Sequence, residues 1–179
     1  MSTVDWFAIG TVVYLAWFLS HQAGRLDRLH HRIETSSSAL DAHLARRAGL
    51  CAQMSACPGF DLASGSLLAQ AAHDALACDV NALDDRMQAE NALSQAIFDA
   101  FEDADDVNEY RQDELLTTLL DELVAASKRV QLSRRFHADA VRACRHIRDQ
   151  RLVRLFHLAG HATLPTTFDF MDELPDTLS

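Results

Sequence analysis

Two adjacent arginine pairs, Arg46-Arg47 and Arg134-Arg135, are the polar groups in this chain best suited to specific recognition. A guanidinium presents a planar fork that can bond a carboxylate through two parallel N–H groups, and Asp41 and Asp139 stand nearby as acceptors. Such pairs serve either as an inter-helix lattice that sets register or as a patch for an anionic partner. His157 and His161 lie four apart, a spacing that aligns two imidazoles on one helical face as metal ligands would need. No Glu follows His157 and Gly160 weakens a helix there, so exposed histidines are expected rather than a metal site. His30 and His31 are adjacent and therefore face different ways, and His137 reads as a core or interface residue.

The remaining chemistry is sparse. Asp99 through Glu114 is dense in carboxylates, but oxygen ligands at alternate positions fail at Val107 and the loop glycine is missing. A solvated helix end and connection is expected there, not a calcium loop. Cys51, Cys57, Cys78 and Cys144 are irregularly spaced with no CxxC pair, which predicts free thiols rather than disulfides or a metal centre. No Ser/His/Asp constellation and no Gly-rich phosphate loop is apparent, so no catalytic residue, metal or cofactor is assigned. The enzyme alternative is a metal-dependent activity using histidines and acidic residues of the bundle.

The elements that must position these groups are helical. Three prolines and six glycines in 179 residues are too few breakers for many short strands and turns. A net charge of -10, from 26 acidic against 16 basic residues, excludes a general nucleic-acid binder, whose phosphate contacts need a basic face. A chain of this length supports one core plus an anchor.

From Val4 to Ser20 the one strongly polar side chain is Asp5, and the run is about 25 Å long as a helix at ~1.5 Å per residue. Trp6 and Trp17 sit near its two ends and Tyr14 and Phe18 between and beside them, as in an interfacial aromatic belt. This predicts a single-pass membrane anchor in preference to a buried core helix. No Lys or Arg precedes Arg25 and no Ala-x-Ala site follows Leu19, so the segment is expected to be retained. Arg25, Arg28 and Arg32 follow the span while Asp5 precedes it, which puts the C-terminal bulk in the cytoplasm by the positive-inside rule. Those three arginines also suit anionic headgroups.

Leu26, Leu29, Ile33, Ser37, Leu40, Leu44 and Ala48 then recur at three and four residues, predicting one helix from the bilayer to about Met54 with Gly24 as a potential hinge. Cys57-Pro58-Gly59-Phe60 breaks it. Ser64-Gly65-Ser66 offers an N-cap region for a second helical stretch, read as one bent helix or two because Asn81 interrupts it. A last long helix begins near Asp113 and carries Leu116, Leu119, Leu123, Val130, Phe136 and Val141. The acidic tail from Leu164 holds Phe168, Phe170 and Met171, which either dock on the bundle or extend freely. The expected fold is all-α: an antiparallel bundle of three to four long helices with an N-terminal transmembrane helix continuing into the first. The expected domains are 1–24 (anchor), 25–163 (bundle) and 164–179 (acidic tail).

Two stretches resemble the signature regions of the LemA family, bacterial proteins with one N-terminal membrane segment followed by an antiparallel helical bundle. The first is Arg32-Ile33-Glu34 through Leu40-Asp41-Ala42-His43-Leu44-Ala45-Arg46-Arg47-Ala48-Gly49-Leu50. The second is Leu119, Leu123 and Val130 followed by Ser133-Arg134-Arg135-Phe136-His137-Ala138-Asp139-Ala140-Val141-Arg142. The chain departs from the family pattern at Ser37, Ala52-Gln53, Ser127 and His137-Ala138, and so looks like a divergent member. The resemblance implies the fold and the membrane location and carries no catalytic activity. The expected function is a membrane-anchored interaction or scaffold protein. Its expected partners are the lipid bilayer, proteins at the membrane and further copies of itself, and not nucleic acid.

Overall fold

A computed structural model describes residues 3–79, 82–148 and 167–178. Five α-helices and one short turn of 3₁₀ helix make up all the regular structure among them: α1 (Thr3–Ser55), α2 (Leu62–Ala77), α3 (Leu83–Phe101), α4 (Ala104–Tyr110), α5 (Glu114–Arg148) and the 3₁₀ turn Asp176–Leu178. The chain is all-α, as its composition predicts. Its contacts divide it into two compact units, Met1–Ser37 with His137–Thr167, and Ser38–Phe136 with Phe168–Ser179.

In the second unit, cross-helix pairings give the topology. Asp41 and Arg47 of α1 meet Arg86 and Glu90 of α3 in ascending order, so these two helices run the same way. Arg46 of α1 meets Glu122 of α5, while Leu40 and Leu44, earlier in α1, cluster with Val130, later in α5, so α1 and α5 run oppositely. With α2 returning between α1 and α3, the order is up-down-up-down, and α4 serves as a short connector.

The helix boundaries have local causes. α1 ends where the Ala56 and Cys57 N–H groups turn back to the Gln53 and Met54 carbonyls, just before Pro58, which has no N–H to continue the ladder. The next helix is capped by Asp61, whose carboxylate accepts from the Ser64 N–H at 2.8 Å, so α2 begins three residues ahead of the cap expected at Ser64-Gly65-Ser66. Gly65 is instead buried inside α2, where an added Cβ would meet the Phe60 ring and the Ser55 carbonyl at 3.4 Å. The interruption near Asn81 separates two helices rather than bending one. In the acidic stretch, Asp103 caps α4 through the Asp105 N–H, and Asp113 caps α5 through the Leu115 and Leu116 N–H groups. These two carboxylates satisfy helix N–H groups that have no partner within their own helices.

The main core joins Leu50, Cys51 and Met54 of α1 to Leu68 and Ala72 of α2, Leu93, Ile97 and Phe101 of α3, and Leu116, Leu120 and Leu123 of α5. Phe60, Phe101 and Tyr110 close one end as an aromatic triangle with ring centroids 4.8 to 6.3 Å apart, each pair adding roughly 0.5–1.5 kcal/mol beyond its buried area.

In the first unit, α1 is helical through the apolar opening and through Gly24. Trp6, Ile9, Val12, Val13, Tyr14 and Trp17 are all 48–65% exposed. Tyr14, Trp17, Phe18 and His21 stack along one side at three- and four-residue spacing. Among the described residues no helix is long and apolar enough to cross a membrane. The transmembrane helix expected at Val4–Ser20 is therefore unsupported; at about 25 Å the apolar run falls short of a hydrocarbon layer ~30 Å thick. On α5, Ala140, Val141 and Cys144 are buried, and the Ser36 hydroxyl lies 3.2 Å from the His137 Nδ1.

Candidate functional site

One member of each arginine pair picked out by sequence, Arg47 and Arg134, meets the C-terminal segment. Consecutive helical residues point about 100° apart, so Arg46 and Arg47 part company. Arg46 reaches across the surface to Glu122 of α5. Arg47 falls on the buried stripe of α1 that includes Leu40, Leu44, Ala48 and Cys51, and is 2% exposed. Its Nη2 donates to Glu90 Oε2 of α3 at 2.7 Å, with the carboxylate equally enclosed. One turn back, Arg86 Nη2 lies 2.9 Å from Asp41 Oδ1, an ion pair by distance whose angle is too oblique for a hydrogen bond. Desolvating an ion costs several kcal/mol, so a buried pair holds only when geometry and further hydrogen bonds compensate. The compensation is incomplete: Arg47 Nε, Arg86 Nη1 and the hydroxyls of Ser94 and Ser127 are buried without a hydrogen-bond partner among the described residues.

The tail lies over this layer. Phe170 fills an apolar slot formed by Leu40 and Leu44 of α1 and Val130 of α5, with Phe168 packed beside it. The Arg47 guanidinium stands 5.8 Å and that of Arg134 5.6 Å from the Phe170 ring centroid, and Arg86 stands 5.5 Å from that of Phe168. Each cation meets the negative face of a ring, a contact worth ~0.5–2 kcal/mol according to its desolvation. Arg134 also forks onto Asp172, with Nε to Oδ2 at 2.7 Å and Nη2 to Oδ1 at 3.0 Å, and its Nη1 lies 3.5 Å from Asp169. Backbone groups of the tail are held by side chains. The Gln131 amide donates to the Asp172 carbonyl, the Met171 N–H donates to Asn91 Oδ1 at 2.7 Å, and the Thr177 hydroxyl donates to the Phe101 carbonyl. An open groove of about 440 Å³ runs alongside, lined by Asn91, Arg134 and residues 169–173. Of the two fates open to the tail, docking is observed.

The expected acceptors are reassigned. Asp41 binds Arg86 rather than either member of the Arg46-Arg47 pair, because helical geometry places it opposite α3. Asp139 pairs with Arg142 one turn along the same helix, and Arg135 is exposed. Arg86, Glu90 and Asp172 were absent from the expected set. A signal for the first two exists: extending the buried stripe Leu93, Ile97 and Phe101 backwards at helical spacing lands on Glu90 and Arg86. No such pattern marks Asp172, which sits outside any helix.

Cys51, Cys57, Cys78 and Cys144 form no disulfide, as expected. Burial pushes the Cys51 thiol up to about 12, against the opposing pull of the Arg47 guanidinium, so it is a poor nucleophile. Partial burial also raises Cys57. Among the described residues no group of three or more His, Cys, Asp or Glu could hold a metal ion, and His157 and His161 lie outside the described residues. No family model, characterised protein or solved structure matches this chain.

Proposed function

We propose that this chain is a membrane-anchored helical scaffold of the LemA type, whose bundle engages protein partners at the cytoplasmic face. The observation that carries the reading is the exposure of six large apolar side chains, Trp6, Ile9, Val12, Val13, Tyr14 and Trp17, along one short stretch of α1. Water leaves an apolar surface of this kind uncovered only at a free-energy penalty of ~25 cal/mol per Å², so it marks a surface that a membrane or a partner covers. Trp6 and Trp17 suit the two wet margins of a lipid layer, and the run is short enough that interfacial anchoring residues must help it. The LemA reading adds the two arginine motifs, whose Arg47 and Arg134 flank one phenylalanine of the tail.

Flotation of the full chain with liposomes tests the anchoring. The protein is expected to rise with the vesicles and to stay there through alkaline carbonate. Full release of the wild-type chain into the carbonate supernatant would overturn it. A chain with Trp6, Val13 and Trp17 all changed to Glu is expected to remain at the bottom of the gradient.

A further inference from the structure

We infer that the slot of Leu40, Leu44 and Val130 over the arginine layer is a receptor for an extended segment of a partner protein, one with aromatic residues at two alternating positions and acidic residues between and after them. This chain's own tail occupies the slot in cis. The inference rests on the scaffold reading and names the chemistry of the partner.

The template is Phe168-Asp169-Phe170-Met171-Asp172, a non-helical run whose alternation sends the Phe170 side chain into the slot of Leu40, Leu44 and Val130 and leaves Asp169 exposed. The bundle side is built in advance. Glu90 holds Arg47 and Asp41 holds Arg86 through contacts in which the tail takes no part. Charge complementarity is carried by Arg134, which pairs with Asp172 and Asp169 of a segment whose ionisable side chains are all acidic, while Arg47 and Arg86, balanced by Glu90 and Asp41, face its rings. Extended peptides of this type bind through alternate side chains in pockets, with polar groups at the backbone fixing direction. Gln131 and Asn91 supply that backbone recognition here.

The tail also satisfies the layer incompletely. Among the described residues, the guanidinia that face its two rings each keep one nitrogen without an acceptor, Arg47 Nε and Arg86 Nη1. A partner segment with an additional acidic side chain within reach of these groups gains hydrogen bonds that the tail does not make, and so competes with a tether that starts at high effective concentration.

The test uses the full chain in detergent and a fluorescein-labelled peptide of this chain's own residues 167–178, followed by anisotropy. In the F170A/D172N chain, whose tail lacks the ring in the slot and the carboxylate on Arg134, the peptide is expected to bind at least ten-fold more tightly than to wild type. Adding R134E to that chain is expected to abolish the gain, and a scrambled peptide is expected not to bind. Equal binding by the tail-altered and wild-type chains, or by the scrambled peptide, overturns the proposal. Should F170A/D172N fail to give a helical, cooperatively melting protein, R134E alone in the wild-type background serves. It is expected to free the tail, read as faster amide exchange at Met171, and unchanged exchange there overturns the proposal. Wild-type dimers that the peptide dissociates would assign the slot to a second copy and overturn the partner reading. No bilayer is present, so failed flotation with intact peptide binding rejects the anchor alone, and the converse result rejects the slot alone.

Discussion

Arg47 Nη2 on α1 and Glu90 Oε2 on α3 meet at 2.7 Å with both side chains sealed from solvent, and this contact joins helices that no local sequence feature connects. Removing one member leaves an uncompensated buried charge, whereas replacing both by apolar groups of similar volume removes the desolvation penalty as well. The E90L chain is expected to lose about 3–5 kcal/mol of unfolding free energy. The R47M/E90L chain is expected to recover most of that loss, as measured by urea unfolding in a double-mutant cycle. Additive losses in the double variant would show that the two groups do not act as a pair.

Phe101 and Phe170 are both buried aromatic rings, yet they belong to different kinds of structure. Phe101 packs inside the main core, and F101A is expected to cost about 3–5 kcal/mol. Phe170 sits on a non-helical segment in a smaller cluster with Leu40, Leu44 and Val130, apart from the main core that Phe101 helps to fill, so fewer packed side chains depend on its ring. Denaturant unfolding is expected to show a clearly smaller loss for F170A than for F101A.

Burial raises the Cys51 thiol to about 12, while an unfolded thiol titrates near ~8.5. The folded-state value is the higher one, so the stabilisation is fully present below ~8.5 and is lost as pH rises through the window up to 12. Between pH 9 and 10.5, unfolding free energy is expected to fall more steeply in wild type than in C51A, by as much as ~1.4 kcal/mol per pH unit. Parallel pH profiles for the two proteins would refute the assignment. In native protein at pH 8, a maleimide is expected to modify Cys57 and Cys78 well before the buried Cys51 and Cys144, read by peptide mass mapping.

Asp61 accepts the Ser64 N–H at the start of α2, and that hydrogen bond holds its carboxyl below the usual carboxylate range. A depressed folded-state value means that its stabilisation is present above ~3.9 and disappears as pH falls through the folded-state value. D61N, which keeps an acceptor without the titration, is expected to flatten the acid limb of a stability–pH curve relative to wild type.

Asp113 closes two orphan N–H groups at the head of α5, at 2.8 and 3.0 Å. D113A is expected to lower stability by about 1 kcal/mol, with D113S or D113N recovering most of it. Thermal melting followed by circular dichroism checks the order of the three variants.

Much of the helix framework was legible in the sequence because helix formation is local. The stripe from Leu29 to Ala48, the break at Pro58-Gly59 and the start of α5 after Asp113 all come from residues within a turn or two of one another. The exposed aromatic run from Trp6 to Trp17 belongs to the same class, since hydropathy is a property of each side chain. The sequence also drew attention to the pairs Arg46-Arg47 and Arg134-Arg135, but spacing tells which face of a helix a residue occupies and not which helix lies opposite. That choice belonged to the tertiary structure. It gave Asp41 to Arg86 and Glu90 to Arg47, and turned Asp139 back onto Arg142. It also seated Phe170 between two guanidinia more than eighty residues apart in sequence, which no periodicity encodes, because the free energy of that contact exists only once α1, α3 and α5 have packed.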